Sequence, residues 1–241
     1  MSKRGRAGEP PLYAKIRDVL LDRVRSGALA PGQLLPNEFE LAAELGVSQG
    51  TVRRALDTLT RERIVVRRQG SGTFVAVPDP DEWLFRYFNI YDEAGRQVTP
   101  DSIDTLASTG LANKRECERL GLGRNARVVR VTRRRTHNGV PFIAETLVLP
   151  ADLFAGLAER AEIPNTVYDL MQRDYGVLVG RGDERVTAVA AGSLEADLLS
   201  LSPGTPLIRI DRVVYAIDGR AVEWRVSLCH LTEKHYRVRL T

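Results

Sequence analysis

The stretch Gly46-Val47-Ser48-Gln49-Gly50-Thr51-Val52-Arg53-Arg54-Ala55-Leu56-Asp57-Thr58-Leu59 decides how the first third of this chain folds. Ser48 is a helix N-cap residue, and Val47 and Val52 occupy the two staple positions around it. Val52, Ala55, Leu56 and Leu59 then form one apolar stripe at helical spacing. Gly50, Arg53, Arg54 and Asp57 fall on the opposite face, while Ser48, Gln49 and Thr51 crowd the exposed N-terminus.

Upstream, Asn37 and Glu40 stand three apart before Leu41 and Leu45, a capping box that starts a short helix at Asn37 and lets Gly46 end it. Two helices joined by Gly46-Val47 make a helix-turn-helix. A first helix carries Leu12, Ile16, Leu20 and Val24 and stops at Gly27, before the turn Pro31-Gly32. Downstream, Ile64-Val65-Val66 and Thr73-Phe74-Val75 flank the loop Arg67-Arg68-Gln69-Gly70-Ser71-Gly72 and read as a hairpin. Three helices and a basic hairpin predict a winged helix.

The exposed face of the third helix carries the chemistry of major-groove reading. Arginine grips a guanine edge with two hydrogen bonds and glutamine grips adenine in the same way. Gly50 lets the backbone approach a phosphate at a helix N-terminus. Arg67, Arg68 and Gln69 on the hairpin reach an adjacent groove or the backbone. The expected DNA-binding set is therefore Ser48, Gln49, Gly50, Thr51, Arg53, Arg54, Arg67, Arg68 and Gln69. Charge agrees: residues 1–80 hold 13 basic and 9 acidic side chains, whereas residues 81–241 hold 22 of each. The whole excess of +4 lies in the first third, as in a polyanion-binding module joined to a neutral one.

Pro78-Asp79-Pro80-Asp81 marks the break. The expected organisation is a disordered basic tail over 1–9, a DNA-binding domain over 10–77, a linker over 78–82 and a second domain over 83–241. The second domain repeats itself at an offset of 79 residues: Leu120-Gly121-Leu122 matches Leu199-Ser200-Leu201, Val129-Arg130-Val131 matches Ile208-Arg209-Ile210, and Arg133 matches Arg212. Each copy reads helix, strand, turn, strand, with turns at Asn138-Gly139 and Asp218-Gly219. Thr166 to Tyr175 reads as a helix between them, and Val177 to Ala190 as a strand region. The fold class is α+β with a mostly antiparallel sheet.

Alternation places Val129, Val131, Arg133 and Arg135 on one face of a strand. If that face is inward, two buried arginines suit a carboxylate or phosphate, because a guanidinium fork holds either bidentately. Pairing with internal acids such as Glu145 or Glu223 is the competing reading. A two-residue Asn138-Gly139 turn puts Glu145 opposite Thr132, away from the arginines. A three-residue turn with His137 and a bulged Gly139 puts it opposite Val131, on their face.

Other classes fall away. The chain has 241 residues and only two cysteines, Cys117 and Cys229, in no metal spacing, so neither a disulfide framework nor a zinc site is expected. No metal or other cofactor is expected. Uncharged stretches of the C-terminal part such as Val186 to Leu194 are far too short to span a bilayer, which with the cysteine usage suggests a cytoplasmic protein without a membrane partner. Residues 83–89, Trp-Leu-Phe-Arg-Tyr-Phe-Asn, are unusually aromatic and suit strand packing better than a pocket wall.

Two resemblances sharpen these readings. Pro11-Leu12-Tyr13, Pro31-Gly32, Leu35-Pro36 with Glu38, Leu41-Ala42, Gly46-Val47-Ser48, Thr51-Val52-Arg53, Ala55-Leu56 and Gln69 to Val75 resemble the winged helix of the GntR family of bacterial transcriptional regulators. The resemblance implies that Arg53 and Thr51 contact bases or phosphate and that Gly70 enters the minor groove. Phe39 and Gln49 depart from the polar residue and the arginine usual at those places. Residues from about 82 to 239 resemble the UTRA effector domain of the HutC subfamily, which shares its fold with chorismate lyase. The matching pieces are Arg133, Arg135, Asn138-Gly139, Pro141, Glu145, Pro150, Thr166-Val167-Tyr168, Gly204 to Leu207, Asp218-Gly219 and Val222-Glu223. This implies that Arg133 and Arg135 hold an anionic effector, that Thr166 and Tyr168 donate hydroxyls, and that Glu145 and Glu223 accept. It also favours the three-residue turn. Cys229, where phosphosugar sensors tend to have tyrosine, argues against a phosphosugar.

The expected function is a ligand-responsive repressor that binds a double-stranded inverted-repeat operator as a homodimer. One rival is a DNA-binding protein whose second domain only dimerises. The other is a lyase-like enzyme; no Ser/His/Asp or Cys/His constellation supports it, so no catalytic residue is expected.

Overall fold

The computed structural model describes residues 10–62, 64–76 and 88–238. The chain divides into two compact units, Met1–Pro78 and Asp79–Thr241. The basic tail, the linker and most of the aromatic stretch 83–89 lie outside the described residues.

The first unit runs α1 (Leu12–Arg25), α2 (Glu38–Leu45), α3 (Gln49–Arg61), β1 (Val65–Arg68) and β2 (Gly72–Val75). Its helix ends follow local chemistry. The Asn37 side chain accepts from the Phe39 and Glu40 amides while Glu40 reaches back to the Asn37 amide, closing a capping box. Gly46 ends α2 in the left-handed region at φ 64°, where a Cβ would be strained. Ser48 Oγ accepts from the Thr51 amide at 3.2 Å and starts α3. The stripe Val52, Ala55, Leu56 and Leu59 is fully buried, packed with Ile16, Leu20, Leu21 and Leu41. Each buried leucine contributes about 1.5–3 kcal/mol relative to exposure. Arg17 ties α1 to the end of α3 through two bonds to Glu62, at 3.0 and 2.8 Å.

The hairpin differs from its sequence reading. Arg67 pairs with Thr73 and Arg68 with Gly72, so both arginines are strand residues and the loop is only Gln69-Gly70-Ser71. Antiparallel pairing satisfies backbone groups that a six-residue loop would leave to water.

The second unit runs β3 (Ile90–Asp92), β4 (Asp101–Leu111), α4 (Lys114–Leu120), β5 (Arg127–His137), β6 (Val140–Pro150), α5 (Val167–Tyr175), β7 (Val179–Ala190), α6 (Ser193–Leu199), β8 (Pro206–Ala216), β9 (Ala221–Cys229) and β10 (Lys234–Tyr236). Six strands form an antiparallel sheet in the order β4-β5-β6-β9-β8-β7, and β10 pairs with β3. The order is a palindrome of the repeat. Shifting α4 and β5 by 79 residues lands on α6 and β8 end for end. Each copy opens with an edge strand, β4 or β7, that the helix-first reading left out of the repeat.

The central strands of the sheet are buried on both faces. Val128, Val148, Val213 and Trp224 pack with Leu120 of α4 on one face. Val129, Val131, Leu147 and Leu149 pack on the other with Val167, Tyr168, Leu170 and Met171 of α5 and with Phe154, Leu157 and Ile163 before it.

The β5–β6 turn settles the register question in a way neither alternative described. His137 pairs with Val140, so the turn is the two-residue one, with Asn138 at φ 53° and Gly139 at φ 76°. A bulge at Phe142 then shifts the pairing by one residue, and Arg133 falls directly opposite Glu145. The three-residue turn favoured by the resemblance is therefore incorrect. One extra residue in a strand exchanges its two faces, and the bulge does that work just beyond the turn.

Candidate nucleic-acid interface and effector site

In the first unit, two of the arginines expected to meet DNA share one carboxylate. Glu38 in the first turn of α2 accepts from Arg53 Nε at 2.9 Å and Nη2 at 2.8 Å, and its other oxygen lies 3.6 Å from Arg67. Arg67 also reaches Asp57 at 2.7 Å. The recognition helix, the start of α2 and the hairpin are thus cross-linked by charge, while Arg53 keeps 61% of its side-chain surface. Arg53 is raised above its ordinary value by its hydrogen bond to Glu38.

Other members of the set are held differently. The Ser48 and Thr51 hydroxyls bond each other at 2.9 Å. Arg54 lies over the Tyr13 ring, 5.5 Å from its centroid, and Arg68 over Phe74 at 4.9 Å. Gln69 and Gly70 are exposed at the loop, with Gly70 at φ 72°. A Cβ at Gly50 would meet only Ser48 Oγ, at 3.9 Å, so its surface is open. Gln49 is half-buried at the start of α3. Glu38, Asp57 and Tyr13 hold the arginines, a role the sequence reading did not give them.

In the second unit, the inner sheet face buries a charged cluster across four strands, β5, β6, β9 and β8. Arg133, Arg135, Glu145, Arg212, Glu223, Arg225 and Ser227 are all buried. Arg133 Nε donates to Glu145 Oε2 at 2.6 Å, and Arg135 Nη1 lies 3.6 Å from that oxygen. Glu145 Oε1 accepts from Ser227 Oγ at 3.1 Å and from Arg225 Nη1 at 3.3 Å. Arg225 forks onto Glu223 through two bonds of 2.9 Å, and the Tyr168 hydroxyl donates to Glu223 at 3.1 Å. Glu184 of β7 takes Arg212 and the Tyr236 hydroxyl.

The electrostatics follow from burial opposed by charge. Burial alone would raise the Glu145 carboxyl, but Arg225, Arg133 and Arg135 hold it well below the usual carboxylate range. Burial pulls Arg135 down to about 9, and Glu145 only partly opposes this. Burial pushes the Tyr168 hydroxyl up, so it stays a donor.

The sequence-expected residues come together except in one respect. Arg133, Arg135, Glu145, Tyr168 and Glu223 meet, and Arg133 and Arg135 also donate to the carbonyls of Pro164 and Asn165, at 3.3 and 3.2 Å. Thr166 follows those carbonyls at the N-cap of α5, half-buried, but its side chain caps nothing. The pairing of Arg133 with Glu145 was the competing reading of these arginines, and it holds. It does not exhaust them: Arg133 Nη2 and Arg135 Nε are buried without a hydrogen-bond partner. Arg225 and Ser227 were missed. They alternate with Glu223 along β9, so the face test applied to β5 would have found them.

A winged helix with an arginine-lined recognition helix, joined in one chain to a sheet that buries a charged cluster, defines a DNA-binding regulator with a ligand-sensing unit. Comparison with known proteins agrees. Residues 12–75 match the gntR family of bacterial regulatory proteins and residues 96–234 match the UTRA domain. The chain is 30% identical over 237 residues to the HTH-type transcriptional repressor NagR of Bacillus subtilis, covering 96% of each. It is 29% identical over 229 residues to the histidine utilization repressor of Pseudomonas putida, covering 95% of this chain and 91% of that protein. The ligand-binding domain of a GntR-family regulator from Bordetella bronchiseptica superposes with a TM-score of 0.58 at 28% identity, covering 65% of this chain and 98% of that one. The chain belongs to the GntR family, in the HutC subfamily that joins a winged helix to a UTRA domain. It is a transcriptional regulator and not an enzyme. Among the described residues no helix is long and apolar enough to cross a membrane, and no cluster of three metal-ligating side chains occurs.

Proposed function

We propose that this protein is a ligand-responsive repressor that binds an inverted-repeat operator as a homodimer and senses a small anionic metabolite. The observation that carries the sensing half is the pair of orphaned guanidinium nitrogens. Arg133 Nη2 and Arg135 Nε are buried donors with no acceptor among the described residues. Leaving such donors unmet costs about 1–3 kcal/mol each, and a bound carboxylate or phosphate would satisfy both. The buried arginines Arg133, Arg135, Arg212 and Arg225 outnumber the buried carboxylates Glu145 and Glu223, and the half-buried Glu184 leaves the cluster cationic. Tyr168, Thr166, Glu145 and Glu223 would meet the polar remainder of the ligand. Ser48, Gln49, Gly50, Thr51, Arg53, Arg54, Arg67, Arg68, Gln69 and Gly70 would form the DNA surface.

A homodimer would place two recognition helices in major grooves about 34 Å apart. Ligand binding would shift operator affinity by its differential affinity for two dimer geometries. The test is a thermal-shift screen of the whole protein against phosphosugars, aromatic acids, histidine-pathway acids and short fatty acids. A ligand at 100 times its Kd stabilises the native state by about 2.7 kcal/mol. A hit that disappears in Arg133→Ala places the ligand on the cluster. A hit that survives in Arg133→Ala and Arg135→Ala places it elsewhere.

A further inference from the structure

Phe39 is 73% exposed, the highest value for any large apolar side chain among the described residues. It sits in the first turn of α2, next to the carboxylate that gathers Arg53 and Arg67. The backbone there is fixed, since the Phe39 amide donates to Asn37 Oδ1 at 3.0 Å and the capping box closes around it. A bare aromatic ring is therefore held at a set position beside the recognition helix.

A phenylalanine left in water forgoes about 1.5–3 kcal/mol of burial. Its surroundings define what could cover it. Glu38 beside it holds Arg53 and Arg67, two arginines of the surface proposed to meet DNA, so the partner is a polyanion that also offers an apolar spot. In the major groove that spot is the 5-methyl group of thymine. Gln49, at the first position of α3, carries a carboxamide that matches adenine N6 and N7. Phe39 and Gln49 thus both favour A·T pairs, while Arg53 favours guanine.

We propose that Phe39 is a specificity-determining residue that packs on the 5-methyl group of one thymine in each operator half-site. This rests on the DNA-binding reading of the first unit and adds the base that one side chain selects.

The test uses the full-length protein. A half-site pair is first obtained by selection from randomised duplexes. Each thymine is then replaced by deoxyuridine, which removes only the methyl group, and binding is followed by fluorescence anisotropy for wild type, Phe39→Ala and Arg53→Ala. Replacement at one thymine position should weaken the wild type about five- to tenfold, in the range of one lost base contact. Phe39→Ala should be weaker on the thymine duplex by a similar factor and indifferent to the replacement. Its thermal transition should match the wild type, because so exposed a ring supports no core. The proposal is overturned if deoxyuridine weakens Phe39→Ala as much as wild type, or if no thymine matters while Arg53→Ala still abolishes binding. If the selection enriches no sequence and Arg53→Ala changes nothing, the DNA-binding reading itself fails and this proposal with it.

Discussion

The two units use arginine in opposite ways. Arg53 and Arg67 of the winged helix are solvent-exposed and share Glu38, a contact that an incoming phosphate or base can exchange for its own. Arg133 and Arg135 of the sheet lie under a helix and a loop, and their partners are fixed by strand register. Exposed ion pairs contribute about 0–1 kcal/mol, so the first set is held loosely enough to be spent on DNA recognition. Buried charges with one partner removed cost several kcal/mol, so the second set is part of the fold as well as the site.

That contrast can be broken from either side. The largest effect is expected from Glu145→Gln, which leaves Arg133, Arg135 and Arg225 facing an uncharged group. The sensor unit should lose about 3–5 kcal/mol in denaturant unfolding. The reciprocal substitution in the first unit, Glu38→Gln, should cost under about 1 kcal/mol.

Arg53→Ala should weaken operator binding about 30- to 100-fold in a gel-shift titration, the loss of one bidentate base contact, with the stability of both units unchanged. An equal loss on unrelated DNA would reassign Arg53 to phosphate.

Acid titration separates the units next. The Glu145 carboxyl is depressed below its ordinary value of 4.5 in the folded state. Its contribution is fully present above that value and is lost as the pH falls through it toward the folded one. The sensor unit should therefore lose stability below about pH 4.5, and Glu145→Gln should flatten that slope.

The smallest effect is expected at the hairpin. Arg67→Ala should weaken binding to all sequences about equally and lower the salt dependence by about one counterion. A change in base preference instead would make Arg67 a reader.

What could be read from the sequence divides along the same line. The winged helix was legible because its signals are local: Asn37 with Glu40, Ser48, Gly46 and the stripe from Val52 to Leu59 all act within one or two turns. The repeat was legible for the same reason, as its hairpin turns are local chemistry. β4 was not, because Asp101–Leu111 is an edge strand with polar and exposed residues that leave no alternation to see. The face of Glu145 was undecidable because it turns on a bulge at Phe142, which no local residue type announces. The charged cluster was legible only in part. Alternation picked out Arg133 and Arg135, but which acids they meet depends on strand order across β5, β6, β9 and β8.

The most direct test of coupling between the units is operator affinity by fluorescence anisotropy, with and without the anion that stabilises the protein, in wild type and Arg133→Ala. A ligand-responsive repressor should show a change of at least about fivefold in wild type, the lower range of allosteric coupling, and none in Arg133→Ala. An anion that binds the wild type without altering operator affinity, or alters it equally in both proteins, would contradict the coupling of the buried arginines to DNA recognition.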